Sequence, residues 1–201
     1  MKFGIFYEHQ LPRPWAEGAE EKLLHEALDQ VQLADELGID FAWEVEHHFL
    51  EEYSHSSAPE VFLAAASQRT SRIRLGHGIV QLPQQFNHTA RVAERVATLD
   101  LVSDGRVEFG TGESSSETEL GGFLIDRETK RNQWEEGLDA VTRMFAACST
   151  DSFQIRWRSF GSMPKPSSSE READIPVPHS TLPCDTRSSV AILSAALAGW
   201  L

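Results

Sequence analysis

Apolar positions in the first 145 residues of this 201-residue chain switch repeatedly between two spacings. Lys2 to Tyr7 forms a short strand-like run. From Glu20 to Leu37 the residues Leu23, Leu24, Ala27, Leu28, Val31, Ala34 and Leu37 recur at helical spacing, and Gly38 stops the helix. The same reading predicts a strand at Asp40 to Val45, a helix opened by Ser57 and Pro59 and reaching about Arg69, and a strand at Ile73 to Val80. A helix from about Asn87 to Leu101, closed by Asp104-Gly105, precedes a strand at Arg106 to Gly110, and Asp126 can cap a last helix reaching Phe145. Four strand–helix units at this spacing predict an α/β fold with a parallel sheet and right-handed crossovers. Periodicity alone fits either an open doubly wound sheet or half of a barrel. No GxGxxG follows the first strand, which weakens the nucleotide-binding open sheet.

Composition divides the chain in two. Residues 1–145 carry 13 Lys/Arg and 26 Asp/Glu, against five of each in residues 146–201, so the formal net charge of −13 belongs to the first part. The second part holds 11 Ser and five of the nine Pro and sustains no period of 2 or 3.6, which predicts an irregular, poorly packed tail. Its last apolar stretch, Ser189 to Leu201, is shorter than a membrane span. An acidic chain without a basic stripe excludes nucleic acid as the expected partner. Cys148 and Cys184 sit in no CxxC, a pattern that suits a reducing compartment, and the chain reads as cytoplasmic, without membrane or secretion signals.

Ligands of parallel α/β folds bind at the carboxyl ends of the strands. Those ends are polar here: Glu8, His9 and Gln10 after the first strand, Glu44, Glu46, His47 and His48 after the second, His77 and Gln81 at the third, and Thr111, Gly112 and Glu113 after the fourth. They are expected to converge on one rim. In the densest cluster, Trp43 to Phe49, a histidine can serve as acid or base near neutral pH, with an adjoining carboxylate setting its tautomer. Backbone hydrogen bonding would account for the same residues. A metal reading also exists, because Glu44, Glu46 and His48 alternate and could share a face. No other strand end offers a clear metal-binding motif, so no metal site is expected.

Four segments in order resemble the bacterial luciferase-like flavin-dependent monooxygenases: Met1 to Phe6, Glu46-His47-His48-Phe49, Leu75 to Pro83, and Leu99 to Gly110. The likeness covers residues 1 to about 145. It implies the first four βα units of a (β/α)₈ TIM barrel that takes reduced FMN and O2 at its carboxyl end and inserts one oxygen atom into a small organic substrate. On that resemblance His47 is the candidate acid or base, supported by Glu46 and His48. Phe6, Gly78, Ile79, Gly110, Thr111, Gly112 and Glu113 fall at the cofactor, with a non-proline cis peptide expected at Gly78 and Ile79. A flavin reductase supplying reduced flavin is the implied partner. The helix containing Ala64-Ala65-Ala66 and the one after it are the implied homodimer face. Gly112 and Glu113 stand where luciferase itself has a reactive cysteine and an arginine, so light emission is not expected. The later barrel strands find no match in residues 146–201. Alternatives are a deazaflavin-dependent oxidoreductase on the same barrel, a metal-dependent hydrolase, and an inactive binding or interaction module.

Overall fold

The computed structural model describes residues 1–147 and 156–157. Its elements run β1 (Gly4–Tyr7), α1 (Ala19–Leu37), β2 (Phe41–Glu44), α2 (Pro59–Ser67), β3 (Arg74–His77), β4 (Val80–Gln81), α3 (Thr89–Val102), β5 (Val107–Phe109), β6 (Thr111–Gly112), α4 (Glu117–Gly122), α5 (Lys130–Ala147) and β7 (Arg156–Trp157). Five strands form one parallel sheet in the order β1-β2-β3-β5-β7. That order follows the chain without reversal. Among the described residues the reversal of a doubly wound sheet is absent, and the order matches the first strands of a barrel. Closure into a barrel is not part of the described residues.

Pleating sorts the side chains. Ile5, Tyr7, Ala42, Leu75, Val107 and Phe109 pack with the helices in one hydrophobic core. Alternate positions Phe6, Phe41, Trp43, Gly76 and Glu108 therefore lie on the other face, called inner below. The helices contribute Val31, Leu63, Ala66, Ala93 and Val141 to the core, all of them buried, and α1, α2, α3 and α5 lie side by side. Each fully buried Leu, Val or Phe contributes roughly 1.5–3 kcal/mol.

Caps and polar clamps hold the amino end of the sheet. Gly38 ends α1 at φ 86°, a left-handed conformation that costs glycine nothing. Asp35, one turn earlier, accepts from the backbone N–H groups of Ser71, Arg72 and Ile73 at 2.8, 2.9 and 2.6 Å and thereby fixes the entry to β3. Burial by itself would raise its pKa, but these donors outweigh that and hold it below the usual 3.8. Arg106 spends its guanidinium on Ser103, Ser67, Thr70 and Ile73, so the Ser103 to Arg106 part of the motif works as a strut far from the strand carboxyl ends.

The third and fourth strands depart from the expected single runs. β3 ends at His77 and resumes as β4, while β5 ends at Phe109 and resumes as β6, and β4 and β6 pair with each other. Gly78 N–H donates to the Glu44 carbonyl at 2.7 Å and Val80 N–H to that of Gly110 at 2.9 Å, so pairing passes from β2 to the other neighbour across Gly78-Ile79. The peptide there is trans: among the described residues the only cis bond is Arg13–Pro14. The cis bond expected from the resemblance is thus absent, and a trans bond accommodates both hydrogen bonds. Ser57 does not cap α2. Ala58 holds that position without a side-chain bond, and Pro59 opens the helix. A short helix, α4, was not legible in the apolar spacing. Of the tail, residues 148–155 and 158–201, with both cysteines, lie outside the described residues. Arg156–Trp157 adds a fifth parallel strand beside β5, one more than the four units expected.

Asp35→Ala leaves three backbone N–H groups without their acceptor. We expect a loss of about 3 kcal/mol of unfolding free energy near neutral pH, read from urea midpoints. Because the folded-state pKa is depressed, the contribution is complete above about 3.8 and lost as pH falls through the folded value, so the wild-type advantage disappears in acid.

Candidate active site

The segment after β2 is extended, and alternation decides its partners. Glu46 and His48 share a face, and the Glu46 carboxylate meets His48 Nε2 at 3.1 Å. Glu46 also accepts from Gln81 N–H at 2.7 Å and from the Asn87 amide at 2.7 Å, which ties this loop to β4 and to the start of α3. Asn87 is backed by Arg95, which in turn pairs with Glu60 on α2. His47 points the opposite way. Its direct hydrogen-bond partner is Glu119 of α4, whose Oε1 lies 3.0 Å from His47 Nδ1 and 2.9 Å from His48 N–H.

Glu119 is the principal residue that the strand-end reading missed. Its helix carries a signal in Ser116-Glu117-Thr118-Glu119, the pattern of a capping box, and Ser116 Oγ does accept from Glu119 N–H at 3.4 Å. The Glu119 side chain reaches past its own helix end to the histidines and to Ser114 Oγ at 3.0 Å. The hydrogen bond that His47 donates to Glu119 raises its pKa above 6.5 against the opposing effect of burial, and Glu8 and Glu46 add to the rise. Burial works to raise Glu119, but His47, His48 N–H and Ser114 together hold it below 4.5. On its other side, His47 Nε2 faces Glu8 Oε2 at 3.6 Å, and the imidazole is 25% exposed.

The residues expected at the cofactor fall at the same end of the sheet. Phe6 is 53% exposed on the inner face, and a Cβ on Gly78 would stand 2.9 Å from its ring. A Cβ on Gly76 would meet the Trp43 ring at 2.1 Å, so Trp43 lies flat across that glycine. The room at Gly112 is taken by Ile79, whose Cδ1 would be 2.0 Å from an added Cβ. Thr111 accepts from Trp134 Nε1 at 3.1 Å, Gly110 is buried and pairs with Val80, and Glu113 pairs with Lys130 at 3.2 Å.

Two expected rim residues lie deeper. His77 is on the helix side, 1% exposed, edge-on to Phe109, and burial lowers its pKa to about 4, which makes it a neutral core histidine. Glu44 is 1% exposed and does not share a site with Glu46 and His48: it faces His9 Nε2 at 2.8 Å and accepts from Ser56 Oγ, and burial raises its pKa. Among the described residues no group of three side chains is placed to hold a metal ion.

A family model described as luciferase-like monooxygenase matches residues 1–182. The chain belongs to that family. The match runs past residue 145, so the likeness is longer than the four motifs suggest and includes part of the Ser- and Pro-rich segment. Limonene 1,2-monooxygenase of Rhodococcus erythropolis is 37% identical over 148 residues, 73% of this chain and 36% of that protein. The solved monooxygenase RslO1 from Streptomyces bottropensis is 37% identical with a TM-score of 0.66, covering 73% of this chain and 43% of the other. The oxygenating constituent of 3,6-diketocamphane monooxygenase from Pseudomonas putida, solved with FMN, shares the fold at a TM-score of 0.64 and 21% identity, over 72% of this chain and 39% of that one. This family member spans about a third of the length of the curated relatives it matches.

Glu119→Gln should lower the His47 pKa, measured by following its ring resonances with pH. The ion pair contributes fully between 4.5 and 6.5, the unfolded values of the two groups. It is lost as pH falls through the depressed Glu119 value or rises through the elevated His47 value. Within that window the variant should lose about 1.5–3 kcal/mol, and the deficit should shrink at alkaline pH.

Proposed function

We propose that this chain takes part in a flavin-dependent monooxygenase reaction, using reduced FMN and O2 to insert one oxygen atom into a small organic substrate. The observation that carries the reading is a half-exposed aromatic face thinned by glycines beside an imidazole clamped at one nitrogen. Phe6 and Trp43 offer flat apolar surface, Gly76 and Gly78 let those rings lie close against the sheet, and His47 is held by Glu119 at the same strand ends. These residues fit a planar tricyclic ring. Reduced FMN, when bound, supplies two electrons that reduce O2, one oxygen atom passing to the substrate and the other leaving as water.

The protein's own part is positional and protic. Phe6, Gly78 and Ile79 would support the ring, with Gly110, Thr111, Gly112 and Glu113 at the neighbouring strand end. His47 Nδ1 is committed to Glu119, so any proton it exchanges with a reacting group moves at Nε2. Glu46 keeps His48 in place and ties the loop to Gln81 and Asn87, which keeps the His47 backbone fixed. A separate reductase would deliver the reduced flavin. A homodimer would use α2 and α3, between which an outer groove of about 520 Å³ is lined by Val61, Ala64, Leu99 and Val102.

Anaerobic titration of the full chain should show saturable binding of reduced FMN and weaker binding of a reduced deazaflavin. A stronger deazaflavin response would transfer the reading to hydride chemistry, and no saturable binding of either would remove it. Gly78→Val should weaken FMN at least ten-fold, about 1.4 kcal/mol. His47→Gln should preserve binding while lowering turnover by roughly 10²–10⁴ wherever turnover is measurable.

A further inference from the structure

His47 stands between two carboxylates that meet it differently. Glu119 makes a 3.0 Å hydrogen bond to Nδ1 and also receives His48 N–H and Ser114 Oγ–H, so it is committed as an acceptor. Its partner nitrogen must then carry a hydrogen in every charge state of the ring. Only Nε2 is left to gain or lose a proton. That nitrogen faces Glu8 Oε2 at 3.6 Å, just beyond hydrogen-bond reach, and a small rotation of the Glu8 side chain brings the two into direct contact. The Glu8 Oε2 atom is itself buried without a hydrogen-bond partner, while the side chain as a whole is 24% exposed. A buried carboxylate oxygen with no donor is a costly arrangement unless a donor visits it.

The surroundings leave few competitors. The charged and titratable groups facing His47 are Glu8 after β1, Glu46 and Tyr53 in the segment after β2, and Glu119 on α4. Glu46 is spent on His48, Gln81 and Asn87. Tyr53 lies edge-on to the imidazole at 5.5 Å and is exposed, and its phenol hydrogen-bonds the Glu8 carboxylate, whose charge pushes the phenol up. Glu8 is therefore the one acceptor set between Nε2 and the outside.

We propose that Glu8 relays a proton between His47 Nε2 and solvent, making Glu119–His47–Glu8 a carboxylate–imidazole–carboxylate relay. The transfer balances simply. The Nε2–H bond of the imidazolium breaks and its proton passes directly to Glu8 Oε2, forming an O–H bond. Neutral imidazole remains with Nδ1–H on Glu119. Protonated Glu8 then gives the proton to solvent past Tyr53, and the reverse sequence reloads His47. Its use in turnover rests on the reading of His47 as the acid or base of this site. The relay itself is a property of the chain without flavin.

The test uses the full chain labelled with ¹⁵N-histidine, His47 being assigned from the His47→Gln spectrum. At alkaline pH the neutral ring should be the Nδ1–H tautomer, with Nε2 bare. Glu8→Gln should keep that tautomer, lower the His47 pKa, and slow exchange of the Nε2 proton with solvent by at least about ten-fold. Glu8→Asp should recover part of the rate. Glu119→Gln should instead abolish the tautomer preference. A merely structural Glu8 would leave the exchange rate unmoved. An Nε2–H tautomer in the wild type, or unchanged exchange in both Glu8 variants, overturns the proposal. Reduced-FMN titration of the same samples reports separately on the flavin reading, because the exchange rates are measured without it.

Discussion

One carboxylate, that of Glu119, holds together chain segments about 70 residues apart, and the shape of the candidate site follows from it. It accepts from a ring nitrogen of His47 and from the backbone of His48 at once. An ionised carboxylate can only accept, so the tautomer of His47 and the path of the loop after β2 are set by the same group. Glu119 is buried and His47 half-buried, where water screens the pair less than at the surface, and each partner shifts the other toward its charged form.

The sheet makes this contact available. Because its strands run parallel and in chain order, every strand delivers its carboxyl-end loop to one edge, and α4 hangs from the loop after β6 within reach of the loop after β2. The amino edge does a different job: Asp35 and Arg106 use their hydrogen bonds on backbone groups there and leave nothing over for a ligand. The structural clamps and the candidate site thus lie at opposite ends of the sheet.

Much of this was legible in the sequence, and the exceptions have physical causes. Helical spacing located α1, α2, α3 and α5 to within a few residues, because a long amphipathic stripe averages over local noise. Strand-end polarity located Glu8, Glu46, His47 and His48 at the rim. It failed for His77, whose side chain falls on the helix side of the pleat, and for Glu44, which is turned away from Glu46 and His48 toward His9 and Ser56. Six-residue α4 is too short to show a period, and only its Ser116-x-x-Glu119 signature marked it. Asn87 and Arg95 could not be found from spacing, since they act on Glu46 from positions 41 and more residues away. The family motifs carried the flavin inference, which neither composition nor periodicity could have supplied.

The central claim is that a flavin would lie at the carboxyl ends of these strands beside His47. Amide and side-chain NMR of the full chain during anaerobic addition of reduced FMN tests it most directly. The account predicts saturable shifts at Phe6, His47, Gly78 and Gly110 with Ser103 to Arg106 unmoved. Shifts confined to the α2–α3 groove or to the amino ends of the strands would contradict it.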